Sequence, residues 1–499
     1  MSLSAAFNII SSSFAANAAQ TAVVSKNIAN VNTSGYSREV ANVVTNSYGG
    51  ADVASITRIA NAALAEQASA SAAQAAAQQA ISDGLSTLAQ TVSDSSSASS
   101  TSGANQNGVS PSAMLANLQN ALATYEASPT SASAADAAVA AASNLASSLN
   151  AGSSAVQQVR EKADADMAAS VKTINSLLGQ FKSANDAIVS GLATGADVAS
   201  AEDTRDSIVA QLSQQIGVST VVAANGSMSV YADNGVTLFQ DAPRTVGFTP
   251  TATLAAGAHG AAVTVDGVPI TGASSPNPIQ SGALAGYTAL RDNLAPQYQL
   301  QLDQMAAGLI NAFAETDQSP SPTLPAAPGL FTAPGLTSLP SMSAATGLAA
   351  TIEVNPSVDP SQGGNATLLR DGGVSSPNPA YVYNSTGAAS FTGHIQQLMD
   401  QLSATQNFDP SAGLEASASL GDYARASVSW LQGANQKASD AASYDRAVAT
   451  QAQSALSNAT GVNLDAEMTN MLALENAYTS SAKLLTTVNA MFSALLNAA

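Results

Sequence analysis

Residues 3–38 read "LSAAFNIISSSFAANAAQTAVVSKNIANVNTSGYSR". Within this stretch Leu3, Phe7, Ile10, Phe14, Asn17, Thr21, Val24, Ile28 and Val31 follow one another at spacings of four and three. That 3.5-residue repeat marks one apolar seam of a coiled-coil helix. Lys26 is the only charged side chain before residue 32. The helix then meets a stop. Asn30 and Asn32 tolerate the left-handed backbone of a C-cap, and Thr33 and Ser34 offer hydroxyls to freed backbone groups. Gly35 makes a turn that a β-branched residue could not. Tyr36 presents a ring with a polar tip, suited to an interface.

The far end repeats the pattern. In "GVNLDAEMTNMLALENAYTSSAKLLTTVNAMFSALLN" (461–497), Leu464, Met468, Met471, Glu475, Tyr478, Ala482, Leu485, Asn489, Phe492 and Leu496 again alternate by four and three. Leu472, Leu474, Leu484, Val488, Met491 and Leu495 widen the stripe. Asn463 or Asp465 is placed to cap it, with Asp465 and Glu467 at the positive end of the dipole. A lone helix with one apolar stripe buries too little to offset the entropy of ordering it, so each end needs partner surface. The other end supplies some. The width of the stripes points to neighbouring subunits for the rest, with a closed intramolecular two-helix hairpin as the alternative.

Between the ends, 55–92 reads as a long helix and "SDSSSASSTSGANQNG" (93–108) as a loop. Pro111, with Ser110 as cap, opens a helix that Pro129 ends. A long helix follows over 131–191, stopped by Gly191 and Gly195, and a shorter one over 201–216. Residues 218–280 alternate with a period of two and contain Asn225-Gly226, Asn234-Gly235 and Asp266-Gly267, which are hairpin signals. Residues 287–315 return to helix. Residues 318–379 are rich in Pro, Gly and Ser, with short strands expected in "TIEVN" (351–355) and "AYVYN" (380–384). Two short helices are expected near 391–405 and a long one over 415–459, antiparallel to the earlier long helices.

The 499 residues carry 15 Lys plus Arg against 34 Asp plus Glu, a net charge of −19. Such a chain is a poor match for nucleic acid or for anionic lipid, and the charge serves solubility. Without cysteine there is no disulfide, zinc thiolate or thiol nucleophile. No run of ~18 apolar residues could insert in a membrane, and a basic-plus-apolar secretory leader is not evident. His259 and His394 lack metal-ligand spacing and read as solvent-exposed. The pairs Asp164/Asp166 and Asp203/Asp206 read as solvated helix faces. Arg205 beside Asp206 reads as a packing or interface pair, and Trp430 as core. No catalytic, cofactor-binding or metal-binding residue is expected, and no cofactor.

"ANVNTSGYSR" (29–38) resembles the short motif shared by the axial proteins of the bacterial flagellum, its residues being Ala29, Asn30, Asn32, Thr33, Gly35 and Tyr36. Residues 461–497 resemble the C-terminal signature of the same family. "GVSPSAMLANLQNALATYEASPTSASAADAAVAAASNLASSLN" (108–150), "TRDSIVAQLSQQIGVSTVVAANGSMSVYADNGVTLF" (204–239) and "SGALAGYTALRDNLAPQYQLQLDQMAAGLINAFAE" (281–315) resemble its hook-associated branch at the hook–filament junction. No resemblance is read in residues 316–414. Glu475 and Asn476 depart from the glutamine-rich sequence more usual in the family.

The resemblance implies a non-enzymatic structural subunit. It is exported unfolded by the flagellar type III apparatus, outside the cell, without cleavage. It self-associates into a ring-like helical layer between hook and filament, with the hook protein and a second junction protein as neighbours. An export chaperone is expected on the C-terminal helix. Leu3, Phe7, Ile10, Phe14, Val24, Ile28, Val31, Leu464, Met468, Met471, Tyr478, Leu485, Phe492 and Leu496 would carry assembly. The expected fold is mostly α with a β insert: paired terminal coiled-coil helices, a long-helix bundle layer and a small antiparallel β outer domain. The expected boundaries are 1–50 plus 460–499 for the tube-wall helices, and 51–217 plus 286–315 and 415–459 for the bundle. Residues 218–285 plus 316–414 form the outer β and loop-rich domain. A hook or rod structural protein is the alternative. An enzyme in the outer region lacks a nucleophile–base pair, and a surface adhesin has no feature in its favour.

Overall fold

The computed structural model describes residues 3–94, 109–251, 253–375 and 378–498, so the loop expected over 93–108 lies almost wholly outside it. The chain runs α1 (Leu3–Ala29), β1 (Glu39–Thr45), β2 (Ala51–Arg58), α2 (Ala62–Ala89), α3 (Pro111–Ala127), α4 (Ala132–Thr194) and α5 (Ala199–Gln215). Then come β3 (Val218–Val222), β4 (Met228–Ala232), β5 (Thr237–Phe239), β6 (Val246–Gly247), β7 (Thr264–Val265) and β8 (Val268–Pro269). After α6 (Ala283–Ala289), a π-helical turn (Leu290–Leu294) leads into α7 (Ala295–Ala312). The loop-rich part holds β9 (Phe331–Thr332), β10 (Glu353–Val354), α8 (Leu368–Asp371), α9 (Gly393–Ser403), β11 (Thr405–Asn407) and β12 (Ser417–Ser419). The chain closes with α10 (Leu420–Thr460) and α11 (Leu464–Ala498). The fold class is mostly α with a β insert.

The helix expected from residue 55 starts at 62 instead. Residues 39–58 form an antiparallel hairpin, β1–β2, pairing Glu39 with Arg58 and Thr45 with Ala51. Alternating Val, Ile and Thr suit a pleated ribbon better than a helix. Asn61 then caps α2 by accepting from Leu64 N at 3.1 Å. The cap on α3 is as read, Ser110 accepting from Ala113 N at 3.1 Å; on α4 Ser131 accepts from Ala134 N at 3.3 Å. Gly195, at φ +71, ends α4, whereas Gly191 stays inside it.

The 63 residues of α4 serve two separate cores. Its first half, from Ala135 to Ala163, packs with Leu85 and Leu88 of α2, with α3, α7 and the start of α10, and with residues 330–408. Its second half, from Met167 to Ala184, packs with α5, the two small sheets and Leu284. Residues 218–285 and 316–414, grouped as one outer layer by composition, are thus packed into different cores. α2 and α10 run antiparallel. Leu85 and Leu88 near the end of α2 share a core with Leu420–Leu431 at the start of α10, and Arg446 further along reaches back to Gln79. Gly286 lets α6 close on α2, since a Cβ there would collide with Ala77 O.

All three sequence-read turns form hairpins, of two kinds. At Asn225-Gly226 and Asn234-Gly235 only the glycine has positive φ. At Asp266-Gly267 both residues do, at 47° and 85°, the tight type I′ turn. "TIEVN" contains β10, but "AYVYN" does not form a strand. Its start is a 3₁₀ turn (Pro379–Tyr381), with a single bridge from Val382 to Gly372. One helix, α9, occupies the region where two were expected.

Candidate functional site

The axial motif is an elbow that binds the end of α1 to three other elements. Asn27, fully buried, treats the backbone of Glu39 as a strand would. Its Nδ2 donates to Glu39 O at 2.9 Å, and its Oδ1 accepts from Glu39 N at 2.9 Å and from the Tyr36 hydroxyl at 2.8 Å. Burial, reinforced by Glu39 and neighbouring carboxylates, pushes the Tyr36 phenol up, so it stays a donor. Lys26 pairs with Glu39 at 2.5 Å. Gly35 makes the turn at φ +80. Asn30 and Asn32 do not take left-handed backbone; Asn30 Nδ2 instead donates to Lys26 O at 2.9 Å.

Past the turn, Arg38 N donates to Thr460 O at 2.8 Å and its side chain pairs with buried Glu467 at 2.5 Å. This ties the elbow to the α10–α11 junction. Arg58 faces Glu202 at 2.9 Å, Asp203 at 3.0 Å and Asp206 at 2.6 Å. Burial alone would lower its guanidinium, and Asp206 with the other two carboxylates reverses that. Asp203 also accepts from Ser37 N at 3.2 Å. Asp203 and Asp206 therefore lock the elbow onto α5 and are not a solvated face.

α1 and α11 pair antiparallel. Phe14 meets Tyr478 edge-to-face at 5.0 Å, and Phe7 and Phe492 line one groove nearer the free ends. Of the stripe on α1, Ile10 and Val24 are buried; Leu3, Phe14, Ile28 and Val31 are half-buried, and Phe7 is exposed. On α11 only Met471 and Leu485 of the named residues are half-buried. Leu464, Met468, Tyr478, Phe492 and Leu496 are exposed. The covered side of α11 adds Glu467, Leu474, Ser481 and Val488, at steps of seven. Nine large apolar side chains of α11, from Leu464 to Leu496, stand exposed among the described residues. Of the motif, Asn30 and Tyr36 are half-buried, while Ala29, Asn32, Thr33 and Gly35 are exposed.

No local motif marks Asn27, Glu39 or Arg58 as a site residue, Arg38 closes the quoted motif without a role read for it, and Glu467 reads in sequence only as a helix-start charge. Their one signal is scarcity, in a chain of which only 10% is charged. Arg205 does not pair with Asp206; it donates to Gly226 O at 2.7 Å and to Asn185 Oδ1 at 3.3 Å. Asp164 is buried against Arg291 at 2.5 Å, whereas Asp166 pairs with Lys162 on the surface. His259 is exposed as read. His394 is not: it is buried and stacked on Tyr383 at 3.9 Å. Burial lowers its pKa to about 4, against the opposing pull of the Leu369 backbone and Asp371. Trp430 packs against the first core. Among the described residues no helix is long and apolar enough to cross a membrane.

The family model of the flagellar hook-associated protein FlgK helical domain matches residues 102–319, and that of the flagellar basal body rod FlgEFG protein C-terminal matches 452–498. Together the two models span more than half of the chain, and it belongs to the axial proteins of the flagellum. It is thus a structural protein of the flagellum. The flagellar hook junction protein FlgK from Burkholderia pseudomallei is similar to it at 23% identity, with a TM-score of 0.41. That match covers 54% of this chain and 46% of that one, less than half the other protein's length. No curated protein matches the chain.

Proposed function

We propose that the chain is a structural subunit at the junction between hook and filament, needed for filament assembly. Its terminal pair α1/α11 would form the tube wall. The observation that carries this reading is the face of α11 left bare by α1, with nine exposed large apolar side chains in one helix. An apolar surface of that extent calls for partners. Neighbouring copies in a ring-like helical layer cover it in the assembled structure, with the hook protein below and a second junction protein above. Before assembly an export chaperone shields the same helix. The subunit leaves the cell through the type III apparatus and performs no catalysis. The motif and seam residues act as elbow and wall, and the two cores form the body outside them. Hook or rod protein is the second reading, favoured by the C-terminal match to rod proteins.

Electron microscopy of a strain lacking this gene, with flagellin assayed in the medium, tests the proposal. Hooks without filaments and flagellin lost to the medium are expected. Missing hooks would move the protein to the hook or rod class, and normal flagella would overturn the junction role.

A further inference from the structure

The β1–β2 hairpin runs back along α1. Asn27 holds Glu39 at its base. At its tip Gly50 approaches so closely that a Cβ would collide with Ser12 Oγ, and a Cβ on Gly49 would touch Ile9. The tip is a tight, uncharged turn, Asn46-Ser47-Tyr48-Gly49-Gly50. Asn46 N donates to Gly50 O at 2.8 Å, and Asn46 Oδ1 accepts from Tyr48 N at 3.1 Å and Gly50 N at 2.8 Å. Tyr48 is therefore held on a hydrogen-bonded turn, with its side chain in solvent; the residue is 73% exposed.

About one helical turn along α1 lies a shallow groove between the ends of α1 and α11. Ser4, Phe7, Asn8, Asn489 and Phe492 line it. Phe7 and Phe492 are 41% and 39% exposed. At about 100° per residue, Ile9 and Ser12 lie roughly 140–160° around α1 from Phe7, while Ser12 stands one turn beyond Asn8 in the same row. A molecule's tip and its groove thus sit about one helical turn apart along α1.

We propose that Tyr48 of one copy seats in the Phe7/Phe492 groove of the next. The phenol ring packs on two phenylalanines while its hydroxyl reaches the amides of Asn8 and Asn489. The residues of the turn and of the groove are uncharged; the carboxylate beside them, Asp52, accepts from Asn46 Nδ2 at 3.1 Å and is exposed. Knob and groove are different surfaces, so the contact is heterologous, and repetition generates a ring or a helical layer and not a closed pair. The offset of about one turn along α1 gives each step between copies an axial rise, as in a helical layer. This rests on the self-association proposed above and names a contact that propagates it. The groove also continues the exposed stripe of α11.

The absence of native cysteine makes the test direct. Full-length Tyr48→Cys and Asn489→Cys chains are oxidised separately and as a mixture. A disulfide-linked dimer in the mixture, with each variant alone remaining unlinked, is expected. Sedimentation velocity of the cysteine-free Tyr48→Ala chain should show association weakened about tenfold or more. Dimers from Tyr48→Cys alone would overturn the proposal in favour of a symmetric contact. A mixture that stays unlinked while the wild-type chain oligomerises at the same concentration would overturn it and spare the wider self-association. A wild-type chain that stays monomeric throughout would overturn both.

Discussion

Two buried titratable groups set opposite pH dependences on the first core. Asp303 of α7 accepts from Gly347 N and Ala349 N, each at 2.8 Å, and from Gln299 Nε2 at 2.9 Å. Burial nonetheless pushes its pKa up from 3.8 to about 6. A raised carboxyl holds a proton in the folded state that the unfolded chain has lost, so stability falls as pH rises from about 4 to 6. His394 does the reverse. Its pKa is lowered from 6.5 to about 4 by burial, so stability falls as pH drops from about 6.5 to 4. At 1.36 kcal/mol per unit each effect is about 3 kcal/mol, and the two nearly cancel. Asp303→Asn should unmask a steep loss of stability below pH 6.5. His394→Phe should make the core more stable at pH 4.5 than at pH 6.5. Trp430, the only tryptophan, packs on this core, so its fluorescence during urea unfolding at the two pH values reads both variants. Equal midpoints in all three proteins would refute the assignment.

At the scale of elements, α4 depends on a buried ionic joint between its two halves. Arg291, fully buried in the π-helical turn, pairs with Asp164 at 2.5 Å and Asp292 at 2.8 Å and donates to Ala261 O at 2.9 Å. Arg160, equally buried, donates to Arg291 O at 3.0 Å and reaches the carbonyls of Ala255 and Ala258. The two arginines stitch the stretch from Ala255 to Ala261 to the point where one core gives way to the other. Arg291→Met would strand two carboxylates in the interior. A cost of about 3–5 kcal/mol is expected, seen as a lowered midpoint in urea unfolding followed by circular dichroism. Asp164→Asn should cost less, because Arg291 keeps Asp292. A loss under 1 kcal/mol for Arg291→Met, the range of a surface pair, would show the joint to be solvated.

At the scale of the molecule, the terminal pair is set apart from the body. α11 has only Glu467 and Val488 buried among its described side chains, whereas the body holds two continuous cores. Phe14→Asp and Leu485→Asp both place a charge in the α1/α11 contact without touching either core. Filament formation in cells should therefore fail, while the Trp430-reported unfolding midpoint stays within about 0.5 kcal/mol of wild type. Normal filaments in either variant would remove the wall role from the terminal pair. A lowered midpoint would mean that the coil and the body unfold together.

Periodicity makes much of this protein legible in its sequence. The seams of α1 and α11, the caps at Ser110 and Asn463, and the glycine turns of the β insert are local. Each is set by spacing or backbone preference within a few residues. What the sequence does not reveal depends on residues far apart. Asn27 with Glu39, Arg58 with Asp203, Arg38 with Glu467 and Arg291 with Asp164 are joined only when the chain folds back. Nothing in the neighbours of Asp164 or His394 distinguishes a buried ionisable group from a solvated one, because burial is a property of what packs over a residue. For the same reason the heptad pattern identifies a helical seam but not which shoulder of α11 stays bare. Sequence alone determined the helices, the turns and the family. Tertiary structure alone decided the two cores, the elbow and the open face, since those arise from long-range packing that local pattern does not encode.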